Sequence, residues 1–326
     1  MKRVNHLISA AFVASALLGG MQDAFAADKL RIGYSVWIGY GPLFIADKKG
    51  FFKDEGLDVE LVPIEDAKLR FASLAAGQID LMATSVDALP QYVKPSQSYR
   101  YVFGLDESSG ADGILFSNAI KAPSDLKGKT VAYAQGNVPE FFLSVVLAQA
   151  GLTLSDVETV DMTGGNAGSA FSTGQVDAAV TWEPYLSKGA QSGHGYKFTD
   201  SSKWPGLIAD VMIARADKIK EQQSAINRLY KAWAKAVEYT KADPADANAL
   251  MGAGLGGWLE DPNVIKDVLT GVKLMDDARN KSYFGNSPGT GEILPVVDKA
   301  LALWRSQDKL QVDLKADELV DRDAVN

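Results

Sequence analysis

The sequence predicts an α/β protein made of two similar lobes. Each is a mainly parallel sheet flanked by helices, and the chain crosses between them twice. Three observations predict this. First, the chain repeats itself: Gly77-Gln-Ile-Asp-Leu-Met-Ala-Thr-Ser and Gly174-Gln-Val-Asp-Ala-Ala-Val-Thr-Trp lie 97 residues apart (174 − 77), as do Pro42-Leu-Phe-Ile and Pro139-Glu-Phe-Phe. Second, short apolar runs alternate with segments of helical period, the pattern of strand–helix units in parallel sheets. Third, 326 residues with 47% apolar and 23% charged side chains give enough material for two cores.

In chain order, residues 29–34 read as the first strand and 35–41 as a loop of glycines and aromatics. Residues 42–49 read as a helix opened by Pro42 and stopped by Gly50. A strand follows over 57–64, a helix over 68–76 closed by Gly77, and a strand over 79–83, with a helix from 87 to 93 and a strand over 101–105. The polar loop 107–112 leads to the apolar run 113–116, read as the first crossing. The order then recurs: strand 130–134, helix 139–150, strand 157–162, helix 166–172, strand 176–181, helix 184–190 and short strand 196–199. The apolar run 211–214 reads as the return crossing. Ile226, Leu229, Tyr230, Trp233, Ala236 and Val237 mark an amphipathic helix over 224–242, ended by Pro244. Beyond it the chain reads as helices without strands to about 305. The polar tail after Ser306 reads as loosely structured.

Lys2 and Arg3, the apolar stretch 7–20 and the Ala24-Phe25-Ala26 site have the form of a cleaved secretory signal, residues 1–26. The apolar stretch is too short to span a bilayer. The chain contains no cysteine, which excludes disulfides, thiolate metal sites, a Cys nucleophile and a lipidated Cys at the cleavage site. An exported, untethered protein of this kind is expected in a periplasm. The chain has two histidines, and His6 falls in the signal, leaving little for a metal site or a Ser-His-Asp triad. Phosphate-binding glycine motifs are missing, so neither a cofactor nor a metal is expected. The net charge of −8 argues against nucleic acid.

In open α/β sheets, ligands sit beyond the carboxyl ends of the strands, beside helix starts. This rule selects Trp37, Tyr40, Gly41 and Pro42 after the first strand and Thr84, Ser85 and Asp87 after the third, with Asp112 and Asp210 at the crossings. In the second lobe it selects Gly136, Asn137 and Glu140, and then Trp182 and Glu183. Glycines allow close backbone approach, and free N–H groups at helix starts attract an anion or a carbonyl. Set against these, Asp87, Asp112, Glu140, Glu183 and Asp210 are five carboxylates near one cleft. Such a set favours a cationic group between them, which Trp37, Tyr40 and Trp182 can support through their ring faces. The alternative for each is local: Glu140 facing its own helix dipole, Glu183 capping, Trp37 and Trp182 packing in cores.

Gly39-Tyr-Gly-Pro-Leu43, Lys49-Gly-Phe-Phe-Lys-Asp-Glu-Gly-Leu57, Gly77-Gln-Ile-Asp80, Gly110-Ala-Asp-Gly113, Leu126-Lys-Gly-Lys-Thr-Val131 and Trp182-Glu-Pro-Tyr185 occur in one order over nearly the whole mature chain. In this the sequence resembles the periplasmic substrate-binding proteins of ABC importers, in their nitrate/sulfonate/taurine branch. The resemblance implies a periplasmic binding protein fold of type II-like form, with lobe I over 27–113 and 212–326 and lobe II over 114–211. It implies a monomer that closes on one small solute and delivers it to a membrane permease with a cytoplasmic ATPase, without catalysis. The expected solute is a taurine-like zwitterion or an amine- or amidine-containing compound. The alternatives are a nitrate- or bicarbonate-type anion receptor, a thiamine-pyrimidine synthase-like enzyme, and a sensor partner that reads the same ligand.

Overall fold

A computed structural model describes residues 27–326; the signal sequence read over 1–26 lies outside the described residues. The first lobe opens with strand β1 (Asp28–Tyr34), helix α1 (Gly41–Lys48), the short α2 (Phe51–Asp54), β2 (Leu57–Pro63), α3 (Ala67–Ala75), β3 (Leu81–Ser85) and β4 (Tyr99–Ser108). The second lobe holds β5 (Asp112–Ser117), β6 (Thr130–Tyr133), α4 (Val138–Gln149), β7 (Glu158–Asp161), α5 (Gly164–Ser172), β8 (Ala178–Trp182), α6 (Tyr185–Gln191) and β9 (Gly195–Asp200). The chain then returns through β10 (Ala209–Arg215) to α7 (Ala216–Ala242), α8 (Pro244–Leu255), α9 (Pro262–Leu269), β11 (Val272–Leu274), α10 (Asp277–Phe284) and α11 (Ile293–Ser306).

Two sheets result, ordered β11-β4-β10-β3-β1-β2 and β7-β6-β8-β5-β9. Read from β2 and from β7, the first five strands of each follow one plan. The repeat is visible to the residue: α1 and α4, α3 and α5, and β3 and β8 all begin 97 residues apart. Gly77 and Gly174, which end the helices before β3 and β8, both take positive φ (68° and 72°), a conformation that costs glycine little.

The sheets are mixed rather than mainly parallel. β1 pairs in parallel with β2 and β3, and β6 with β7 and β8, but β10 is antiparallel to both neighbours and so is β5. The reason is directional. Strands of βα units end at the face between the lobes, whereas β5 and β10 begin there and run away from it. The apolar runs read as crossings are these two reversed strands. The crossings themselves are residues 109–111 and 201–208, fixed by polar contacts: Ser108 Oγ to Ser201 Oγ at 2.7 Å, Gly110 N–H to Ser201 Oγ at 2.7 Å and Ser109 N–H to Gly271 O at 2.7 Å.

Three other expectations change. The helix read over 87–93 is a single tight turn, residues 89–92. The helical region contains a strand, β11, which caps the edge of β4. The tail beyond Ser306 is docked: Leu319 and Val325 are buried, Asp321 N–H donates to Tyr101 O at 2.9 Å, and Arg322 donates to Phe284 O and Thr290 O, each at 2.9 Å. A few apolar residues inside a polar stretch suffice to seal it down.

The first lobe's core gathers around β1, β3, β4, β10 and the inner face of α7, where Trp233 is fully buried. Asn280 ties this core together: its Oδ1 accepts from Gly104 N–H at 2.6 Å, and its Nδ2 donates to Gly104 O and Met275 O. Helix α11 spans both lobes. Ile293, Val296, Val297 and Leu301 join the first core, while Ala300 and Trp304 join the second. Among the described residues no helix is long and apolar enough to cross a membrane.

Candidate functional site

The ends of β1, β3 and β4 face the ends of β6 and β8 across the crossings. Register places the charges. On the first sheet Asp210 pairs with Asp106 on one side and with Ser85 on the other. On the second, Asp112 pairs with Trp182. Asp87 follows β3 by two residues, and Glu140 stands in the first turn of α4. Asp87, Asp106, Asp112, Asp210 and Glu140 are all buried, between 0% and 9% exposed, so water does little to screen them from one another.

Most of these carboxylates have protein partners. Trp37 Nε1 donates to Asp106 at 3.2 and 3.3 Å, so the indole is held by the acid beneath it. Tyr40 bonds Asp210 through its hydroxyl, and Ser108 serves Asp112. Glu140 accepts Gly136 N–H at 2.6 Å and pairs with Lys309 at 3.1 Å. Glu107 pairs with Arg279. Asp87 differs: Ser85 serves its carboxylate, yet Oδ2 is buried with no hydrogen-bond partner among the described residues.

The energetic consequence is a set of proton-retaining acids. Burial, followed by the charges of Glu140 and Asp112, pushes Asp87 up to about 7 against the hydrogen bond from Ser85. Burial pushes Asp112 up to about 6, with Glu183 adding to it. Burial and then the charge of Asp112 push Asp210 up to about 7. Asp106 is raised well above the carboxylate range by burial and by Asp210. Tyr40 is likewise raised well above its usual value, first by burial.

The structure brings Trp37, Tyr40, Ser85, Asp87, Asp112, Glu140 and Asp210 to this one face. Thr84 is buried in β3 beside Val211. Gly136 reaches across the gap: its carbonyl accepts from Gln91 Nε2 of the first lobe at 3.2 Å. Trp182 lies over Gly164, where a Cβ would sit 2.3 Å from the ring, and packs against the first lobe's core. Other residues do local work. Glu183 accepts from Ser187 N–H (3.1 Å) and Ser187 Oγ (2.7 Å) at the start of α6. Asn137 Nδ2 donates to Gln135 O at 2.9 Å. Gly41 makes room for Met251 of α8, and Pro42 opens α1.

Two residues were missed. Asp106 lies inside β4, which runs three residues past the predicted strand into the polar stretch Asp106-Glu-Ser108, so its strand-end position was hidden by residues that read as loop. Arg70, in α3, is 5% exposed and donates to Ile64 O (2.5 Å) and Glu65 O (3.1 Å), while its Nε has no partner among the described residues. Its charge acts on Tyr40 and Asp210, so a cation does face the acids. In sequence it reads as one more exposed helical arginine.

Residues 37–247, most of both lobes, match the NMT1/THI5-like family. The chain belongs to that family. Among its relatives, a Bacillus subtilis (strain 168) protein named as an aliphatic sulfonates-binding protein is 30% identical over 230 residues, 68% of each chain. The taurine-binding periplasmic protein of Escherichia coli (strain K12) is 25% identical over 289 residues, 85% of this chain and 86% of its own. The crystal structure of the periplasmic aliphatic sulphonate binding protein SsuA from Escherichia coli superposes with a TM-score of 0.73 at 21% identity, covering 90% of this chain and 92% of that one. This NMT1/THI5-like chain thus has the fold of periplasmic binding proteins, and these relatives are binding proteins by name rather than enzymes.

Two hollows lie elsewhere on the first lobe. One of about 480 Å³ is lined by residues 95–98 and 215–217, and Arg215 there is committed to Asp217 and Ala75 O. The other, of about 400 Å³, lies between α7, α8, α9 and β11. Neither touches the acidic face.

Proposed function

We propose that this protein is the periplasmic receptor of an ABC importer and captures a small polar solute bearing a cationic nitrogen, either a taurine-like zwitterion or an amine or amidine. The observation that carries this reading is the meeting of Asp87, Asp106, Asp112 and Asp210 at the facing ends of the two sheets. Ionising these buried neighbouring acids is costly, and a cation placed between the lobes offsets that cost only when the lobes are together. This is the differential affinity that closure requires. Trp37, Tyr40 and Trp182 supply aromatic walls for the nitrogen. The two bodies that move are the lobes on either side of the crossings at 109–111 and 201–208, which shifts the limits read from the sequence (27–113 with 212–326 against 114–211) by two or three residues, so that Asp112 belongs to the second lobe and Asp210 to the first; the partners are a membrane permease and its ATPase. The names of the relatives support import as the purpose; their sulfonate and taurine ligands support a zwitterion as one arm of the reading.

Thermal unfolding of the mature protein with a panel of amines, amidines, taurine, alkanesulfonates and nitrate tests the proposal. A nitrogen-bearing cation or zwitterion should raise the melting temperature in a saturable way. Stabilisation by nitrate or simple sulfonates alone would overturn the cationic reading. Turnover of any bound compound would overturn the non-catalytic one.

A further inference from the structure

Resting on that receptor reading, we infer that the solute is a small organic monocation without an acidic group, and that Asp87 Oδ2 is the atom its charged N–H engages.

Two independent observations carry this. The first is that backbone donors an anion could use at three strand ends are taken by the protein's own carboxylates. After β1, Val36 N–H donates to Glu65 Oε1 at 3.0 Å. After β6, Gln135 N–H donates to Asp161 Oδ1 at 3.0 Å and Gly136 N–H to Glu140 Oε2 at 2.6 Å. After β8, Ser187 N–H donates to Glu183 Oε2 at 3.1 Å. After each of these three strands a carboxylate takes at least one N–H that a sulfonate, nitrate or carboxylate ligand could otherwise use. The acidic end of a zwitterion meets the same obstacle. Lys309 is held by Glu140, and Arg279 by Glu107. Arg70 spends its Nη1 on Ile64 O and Glu65 O, which leaves its Nε as the one buried donor of this arginine toward the acids.

The second observation is Asp87 itself. It is 3% exposed, belongs to the first lobe, and stands against Asp112 and Glu140 of the second. Its free oxygen is a buried acceptor awaiting a donor, and such a group is costly unless a ligand completes it. A charged organic N–H is the kind of donor that completes such a buried carboxylate oxygen. A planar amidinium or guanidinium, or a small ammonium, supplies charge and N–H groups without an acid to accommodate.

Isothermal titration of the mature protein at pH 8 with acetamidinium, guanidinium and methylammonium at millimolar concentrations, and separately with taurine, methanesulfonate and nitrate, tests this. At least one monocation should bind, and Asp87→Asn, folded as judged by circular dichroism and cooperative melting, should weaken it at least about tenfold. Because Asn keeps the shape and can fold normally, a variant that stays folded and binds as the wild type does overturns the role of Asp87. Binding of taurine or methanesulfonate but of no monocation overturns the monocation while leaving the receptor standing. Binding of none overturns the inference, and native mass spectrometry then decides the receptor reading separately: a small molecule of any class retained in the protein upholds it.

Discussion

Gly39 has no side chain because Asp106 occupies the place where one would be. A Cβ there would sit 1.9 Å from Asp106 Oδ2 and 2.6 Å from Trp37 Nε1. Gly39→Ala must therefore push the carboxylate off the indole, and overpacking of this kind costs about 1–3 kcal/mol. The expected result is a lower urea midpoint together with weakened solute binding, because the wall formed by Trp37 moves as well. Unchanged binding would show that Trp37 takes no part in the site. Asn280→Ala provides the contrast. It strands Gly104 N–H and C=O in the core, each costing about 1–3 kcal/mol, yet touches nothing at the acidic face. Urea unfolding should register a large loss of stability while solute affinity in the folded protein stays the same.

At the scale of elements, α11 is the device least expected from the sequence. Its period identifies it as a helix, but nothing in the period tells which lobe it covers, and it covers both. Trp304 packs in the second lobe's core and donates Nε1–H to Asp87 O of the first at 2.6 Å, with Lys309 over its ring and reaching Glu140. Trp304→Phe removes that donor, leaves the Asp87 carbonyl buried and unpaired, and is expected to cost about 1–3 kcal/mol in urea unfolding. No loss of stability would mean that the contact adds nothing to the link between lobes. The strands and helices of the βα units were legible because period, glycine stops and the repeat all point to one answer. β11, three residues long, and the docked tail were not, since tertiary contacts rather than local pattern create them. The topology was legible: Asp87, Asp112 and Asp210 lie at strand ends, where the strand order read from the sequence puts them. The division of labour among the acids was not, because whether Glu183 caps a helix or faces a ligand depends on a few ångströms.

At the scale of the whole molecule, the acidic face links stability to pH. Asp87 and Asp210 are pushed up to about 7 and Asp112 to about 6, all mainly by burial, so the folded protein holds protons that the unfolded chain releases near 4. For groups raised in this way the stabilisation is complete below the unfolded value and is lost as pH climbs through the folded values. The groups facing these acids are Glu140, Glu183, Tyr40 and Arg70, and only Arg70 among them carries an opposing charge. Carboxylates lowered by their partners, such as Asp276 beside Lys241 and Asp246 beside Tyr239 and Lys49, act in the opposite sense but only below about pH 4. Between pH 5 and pH 8 the ligand-free protein should therefore lose stability as pH rises, by up to about 1.4 kcal/mol per unit for each proton released. A saturating cation should flatten the slope, since its charge stands in for those protons, and its affinity should rise over the same interval as Asp87 ionises. Urea midpoints at pH 5, 6.5 and 8, with and without the cation, read both effects. Stability that is flat or rising across this range without ligand would mean that the four aspartates are not the buried, mutually repelling set on which selection of a cation depends.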